Sequence, residues 1–158
     1  MDDALEPTET ADVHDRIARS FESQGLMRLL GARLAHVGPG LVRIELPSRP
    51  EVSQQHGYVH AGATSAIADS AGGYAALSLL SDHDEVLTVE YKINLLAPAE
   101  GDRLEAVGTV VKAGRTLTVC TLEVFGVRDD HRTLVATGQQ TVMRVAGSSR
   151  TTARSGPS

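Results

Sequence analysis

The chain of 158 residues has no tryptophan, only two phenylalanines and three tyrosines, so any core must be aliphatic, made of Val, Leu, Ile and Ala. An apolar content of 41% can supply such a core and argues against a disordered protein. A single cysteine, Cys120, excludes an internal disulfide and a zinc site built from several thiolates. It reads as a small buried apolar residue on a strand. Basic residues are in deficit: 15 Lys and Arg against 20 Asp and Glu leave a net charge of −5. That is the opposite of the surplus carried by a general nucleic-acid binder. The first twenty residues have neither a basic head nor a hydrophobic run, unlike a secretory signal or a transit peptide. The expected compartment is the cytoplasm, with neither nucleic acid nor membrane as partner.

What is present reads as one domain. Residues 1–10 are polar and expected to be mobile. From Ala11 the pattern is helical, with Val13, Ile17 and Phe21 recurring every four residues and Gly25 placed to stop the helix. Arg33–Val37 and the alternating segment Leu41–Leu46 flank a Gly38-Pro39-Gly40 turn and read as a hairpin. Residues 47–59 carry two prolines and no period, so they read as a loop. Residues 61–80, rich in Ala, Gly and Ser, predict a central helix able to approach a sheet closely. Asp69 and several Ser and Gly make this segment too polar for a membrane span.

Four strand-like segments follow. In the first, 86–96, Leu87, Val89, Tyr91, Ile93 and Leu95 are expected on one face and Thr88, Glu90, Lys92 and Asn94 on the other. The next two form a hairpin about an Ala113-Gly114 turn, and the last closes the sheet near residue 145. Residues 146–158 lack large apolar side chains and are expected to be a disordered tail. The fold class is therefore α+β: an antiparallel sheet with one long helix on a face and an extra N-terminal helix, within residues 11–145. The uncovered face and edges call for self-association.

The chemistry concentrates in residues 54–73. Asp69 is the only formally charged residue between Val52 and Ser81. A lone carboxylate in an uncharged helix is costly unless exposed, hydrogen-bonded or functional. An ordinary solvent-facing or backbone-capping Asp would look the same in sequence. Upstream, Ala61 and Gly62 stand where the helix begins, and helix N-termini present free backbone N–H groups with partial positive charge. Small side chains there would let a carbonyl oxygen approach those donors, which is the geometry of an oxyanion hole. A plain loop-to-helix junction would share that pattern. His56 and His60 are four residues apart, but Gly57 interrupts them and no acidic residue has matching ligand spacing, so no metal site is expected. His60 is expected to orient the loop or Gln54. Lys112 and Arg115 flank the turn containing Gly114. They place two cations and backbone N–H groups at a hairpin tip, which suits phosphates as well as simple solubility.

Taken together, Gln54-Gln55-His56-Gly57-Tyr58-Val59-His60-Ala61-Gly62 and Ala68-Asp69-Ser70-Ala71-Gly72-Gly73-Tyr74 resemble the hotdog thioesterases of the phenylacetate-degradation (PaaI) type, within the 4-hydroxybenzoyl-CoA thioesterase superfamily. The likeness continues through Thr88–Asn94, Pro98, Gly101-Asp102 and Lys112–Arg115, covering roughly residues 21–145. The resemblance implies a sheet wrapped round the central helix and hydrolysis of an aryl- or medium-chain acyl-coenzyme A. It implies Asp69 as nucleophile or general base, and the Ala61 N–H as donor to the thioester oxygen. Gln54 would place water or substrate, Thr88 would supply a hydroxyl, and Lys112, Gly114 and Arg115 would meet the coenzyme A phosphates. Ala61 departs from the family's Gly and Gln54 from its more frequent Asn. No cofactor is implied beyond the coenzyme A of the substrate. Homodimers or dimer-of-dimers tetramers with sites shared between subunits are implied. A non-turnover acyl-coenzyme A binding protein and a hotdog acyl-thioester dehydratase remain the alternatives.

Overall fold

A computed structural model describes residues 7–147. The N-terminal helix α1 runs Pro7–Ser23, starting ahead of the expected Ala11. The mobility expected for residues 1–6 and 148–158 lies outside the described residues. Helix α1 ends at Ser23, next to the expected stop at Gly25, and Gly25 itself opens a second, short helix, α2 (Gly25–Leu30). Helix α2 ends at Gly31, whose left-handed φ of 74° lets its N–H reach the Arg28 carbonyl at 3.1 Å. Strands β1 (Arg33–Gly38) and β2 (Leu41–Pro47) form the expected hairpin. A single 3-10 turn, Pro50–Val52, interrupts the following loop. Helix α3 is Ala61–Leu77, and β3 (Asp84–Leu95), β4 (Arg103–Ala113), β5 (Leu117–Arg128) and β6 (His131–Ala146) complete the chain.

The six strands make one antiparallel sheet in the order β1-β2-β4-β5-β6-β3, and α3 lies across it, carrying the chain from β2 to the far edge. Ile67, Ala68, Ala71 and Ala75 of α3 bury against Ile44, Leu104, Leu122 and Val124 of the strands, an aliphatic core as the composition requires. Small residues on α3 allow close approach: a Cβ added to Gly108 of β4 would stand 2.4 Å from the backbone of Ala71 and Gly72. Helix α1 packs Ile17 and Phe21 onto the core and is tied down by Arg16, which donates to the carbonyls of Leu80 (3.1 Å) and Asp84 (2.7 Å).

Strand β3 departs from strict alternation. Its register against β6 shifts between Thr88, opposite Val142, and Glu90, opposite Thr141, leaving Val89 as the extra residue of a bulge. Tyr91 then stands opposite Gln140, and both Val142 and Gln140 are buried against α3. Directly opposed residues share a sheet face. Thr88 therefore lies on the helix side with Tyr91, Ile93 and Leu95, while Leu87 turns away with Glu90, Lys92 and Asn94. The expected grouping is corrected by one inserted residue, and the correction puts Thr88 within reach of α3. As an edge strand β3 is open: Leu87, Val89, Tyr91 and Leu95 are each about half exposed.

Candidate active site

Halfway along α3, Ala68 and Ala71 face the core, which turns Asp69 and Ser70 toward the side where β3 and α1 meet. Asp69 is half-buried, and its Oδ1 accepts from the Thr88 hydroxyl at 2.7 Å and from Gln140 Nε2 at 2.5 Å. The same Nε2 stands 3.0 Å from the Asp69 carbonyl oxygen and 3.0 Å from Thr88 Oγ1. A cavity of about 400 Å³ opens beside the carboxylate, lined by Ser20 of α1, Gln24 between α1 and α2, Asp69, Ser70 and Tyr74 of α3, and Thr88. The Tyr74 hydroxyl meets Gln24 Nε2 at 2.8 Å and Ser20 Oγ at 3.1 Å. Burial nonetheless pushes its pKa up, so the ring stays a neutral phenol.

Gln140 escaped the sequence reading. The signal was available: along β6, Ala136, Gly138, Gln140 and Val142 follow period two, so a glutamine occupies a core position of an otherwise small or apolar row. Cys120, directly opposite Gln140 on β5, is buried as expected, and burial raises its thiol pKa to about 11.

The other end of α3 is built differently. His60 caps the helix, its Nδ1 accepting from the Gly62 N–H at 2.8 Å. With Nδ1 accepting, a neutral imidazole carries its proton on Nε2. Gly62 therefore spends its N–H inside the cap. Among the described residues nothing accepts from the Ala61 N–H, which is left as the open donor of the pair. Gln54 makes no hydrogen bond to His60; its side-chain oxygen accepts from the His56 N–H, folding the residue into its own loop. Gln54, Tyr58, His60, Ala61 and Leu95 nevertheless line one cavity of about 280 Å³.

The residues singled out in the sequence thus fall into two groups. Asp69 and Thr88 meet; Gln54, His60 and Ala61 share a second cavity; and the two cavities have no lining residue in common. Ala61 and Asp69 are separated by about 12 Å of helix. Lys112, Gly114 and Arg115 line neither cavity and are exposed at the β4–β5 tip. That tip is at the Asp69 end of the sheet: Ala113, Thr118, Val142 and Thr88 form one row across β4, β5, β6 and β3. Among the described residues no carboxylate pairs with Lys112 or Arg115. No three His, Cys, Asp or Glu residues cluster among the described residues, and none of the helices there is long and apolar enough to cross a membrane.

A long helix laid across an antiparallel six-stranded sheet defines the α+β hotdog class. Comparison with known proteins gives the family. The thioesterase superfamily profile matches residues 56–132. A thioesterase family protein from Silicibacter pomeroyi, solved by crystallography, is 44% identical, with a TM-score of 0.83 over 85% of this chain and 99% of that one. A provisionally named esterase of Halobacterium salinarum is 31% identical over 65% of this chain and 71% of its own length. The PaaI protein of the E. coli phenylacetic acid degradation operon shares the fold, with a TM-score of 0.76 at 21% identity, over 87% and 96% of the two chains. The chain belongs to the thioesterase superfamily and is a thioester hydrolase.

Proposed function

We propose that this enzyme hydrolyses aryl- or medium-chain acyl-coenzyme A thioesters at a site assembled from two copies of the chain. The observation that carries the reading is the split of α3. It bears a carboxylate held against a hydroxyl near its middle and an open backbone donor at its N-terminus, too far apart to act on one carbonyl. The edge strand joins the two halves. Thr88 of β3 stands by Asp69, and Leu95 of the same strand lines the Ala61 cavity. Two copies joined antiparallel along β3 by a two-fold axis would bring the Thr88 end of one beside the Leu95 end of the other. Each Asp69 would then face the Ala61 N–H of the partner copy, giving a homodimer, or a tetramer by pairing dimers.

In such a site the thioester oxygen takes the Ala61 N–H, where the helix dipole favours developing negative charge. Asp69 either attacks the carbonyl carbon or removes a proton from the attacking water. The carbon–sulfur bond breaks and the coenzyme A thiolate leaves and is protonated. Direct attack by Asp69 leaves an acyl–Asp69 anhydride that a water then hydrolyses, whereas attack by water gives the free acid at once. Thr88 holds Asp69. His60 fixes the loop that presents Ala61, and Gln54, on swinging out from His56, places water or substrate. Lys112 and Arg115 supply the charge that coenzyme A phosphates require, on a turn whose Gly114 leaves backbone exposed. The chain's own groups and water suffice for this scheme.

The test is release of thiol, followed with a thiol reagent, from a panel of aryl- and medium-chain acyl-coenzyme A esters. Turnover of at least one series is expected. Tight binding without release would make the protein an acyl-coenzyme A binder instead.

A further inference from the structure

Gln140 is a buried polar residue that the proposed reaction leaves unused. It sits in the middle of β6 with none of its surface exposed. Its Nε2 has three acceptors within reach: Asp69 Oδ1 at 2.5 Å, the Asp69 carbonyl at 3.0 Å and Thr88 Oγ1 at 3.0 Å. The reverse orientation of the amide would aim its oxygen at two acceptor oxygens of Asp69, so the chemistry of the neighbours sets which end faces the carboxylate. Thr88 gives its own hydroxyl proton to the same Oδ1 at 2.7 Å. Oδ1 is thus gripped from two sides, whereas among the described residues no side chain or backbone N–H donates to Oδ2.

The far end of the amide shows what this grip costs. Gln140 Oε1 is buried without a hydrogen-bond partner, an arrangement that stability alone disfavours. Helix α3 also makes room for it. A Cβ on Gly72 would lie 1.9 Å from Oε1, so the helix carries no side chain where the amide enters.

We infer that Gln140 is a positioning residue for the reaction: with Thr88 it fastens Oδ1 of Asp69 and so presents Oδ2 to the thioester or its water. This rests on the role of Asp69 proposed above. The test is steady-state kinetics and thermal melting of Gln140→Met, made in the wild-type chain and in an Asp69→Asn chain. Methionine keeps the length and volume, loses both N–H donors and removes the orphan oxygen. In the wild-type chain kcat should fall on the order of 10- to 100-fold, as for other residues that orient a reacting group. KM should be unchanged and the melting temperature no lower. In the Asp69→Asn chain the same substitution should leave kcat almost where it was, because the amide acts only through the carboxylate. Gln140→Leu, which also lacks the donor, should be as slow as Gln140→Met.

Full turnover in a folded Gln140→Met enzyme overturns the inference. So does an equal fractional loss in the Asp69→Asn chain, or failure of both the Met and Leu variants to fold, which would make the amide a requirement of the fold. An Asp69→Asn enzyme of normal activity would instead remove the reading beneath it. A slow Asp69→Asn enzyme alongside an unimpaired Gln140→Met enzyme would cost only the positioning role.

Discussion

At its Asp69 end α3 is enclosed: Thr88 and Gln140 hold the carboxylate from the sheet, and Ser20 of α1 and Gln24, which follows that helix, close the cavity beside it. At its Ala61 end the helix is bare. Its cap is a histidine on its own loop, and Ala61 and Gly62 are both exposed. One end fixes a side chain by surrounding it with donors; the other offers a backbone donor by leaving it uncovered. On the proposed reading each end has half of what hydrolysis of a thioester needs. The difference then teaches that a small domain can hold both halves rigidly and leave a second copy to bring them together.

The largest effect should come from the enclosed end. Asp69→Asn keeps the helix and its hydrogen-bonding capacity but removes the ionisable group, and turnover should drop by about 100-fold or more. Hydrolysis rates of the purified variant decide this, and a near-normal rate would reduce Asp69 to a structural residue. Next, the two ends can be separated genetically. Asp69→Ala disables the enclosed end, and Ala61→Pro removes one N–H at a first-turn position where proline is tolerated. Equal mixtures of exchanging subunits should regain roughly a quarter of wild-type activity, because about half the dimers are mixed and each has one intact site. Exchange without recovery would place both ends of one site in one chain.

Smaller effects sharpen the contrast between chemistry and its surroundings. Replacing Lys112 and Arg115 together with Ala should raise KM several-fold, roughly 10-fold, for coenzyme A esters. A truncated pantetheine ester lacks the nucleotide phosphates, so its KM should hardly move. Equal effects on both substrates would leave the two cations as surface charge. Asp84 is a second carboxylate at the same end, and it is outside the reaction. The Ser81 hydroxyl at 2.6 Å and then Arg144 at 2.8 Å hold its pKa below the ordinary value. Its stabilising contribution is therefore present above the unfolded carboxylate pKa of about 3.9 and lost as pH falls through the lower folded value. Asp84→Asn should lower the melting temperature at neutral pH, with the gap to wild type closing in acid and kcat unaffected throughout.

Much of this was readable before any coordinates. The strands and the central helix followed from period and turn residues, and the isolation of Asp69 in an uncharged helix marked it without reference to any fold. What stayed hidden has physical reasons. The bulge at Val89 adds one residue to an alternating strand, and no local signal in a run of β-formers says where the alternation slips. The end of α1 beside Gly25 was legible, but the short helix α2 that Gly25 opens was not, because a six-residue run is too short to show a helical period before it ends at the left-handed Gly31. Gln140 was visible as a polar residue in a core row, but the reading followed charge and spacing. The occupation of the Gly62 N–H by His60 is a rotamer choice that sequence does not encode locally.

The backbone contact between Gly108 and the Ala71–Gly72 peptide has a consequence for how mutations should partition between durability and turnover. Where α3 crosses β4 no side chain serves as spacer, so the height of the helix above the sheet is set by main chain against main chain. Trimming the aliphatic core elsewhere should loosen the protein without lowering or raising Asp69. Ile44, wholly buried on β2, offers the check: Ile44→Val should cost about 1 kcal/mol of stability. Its kcat, measured well below the melting temperature, should match that of the parent, so that tolerance to heat drifts while catalytic rate stays put.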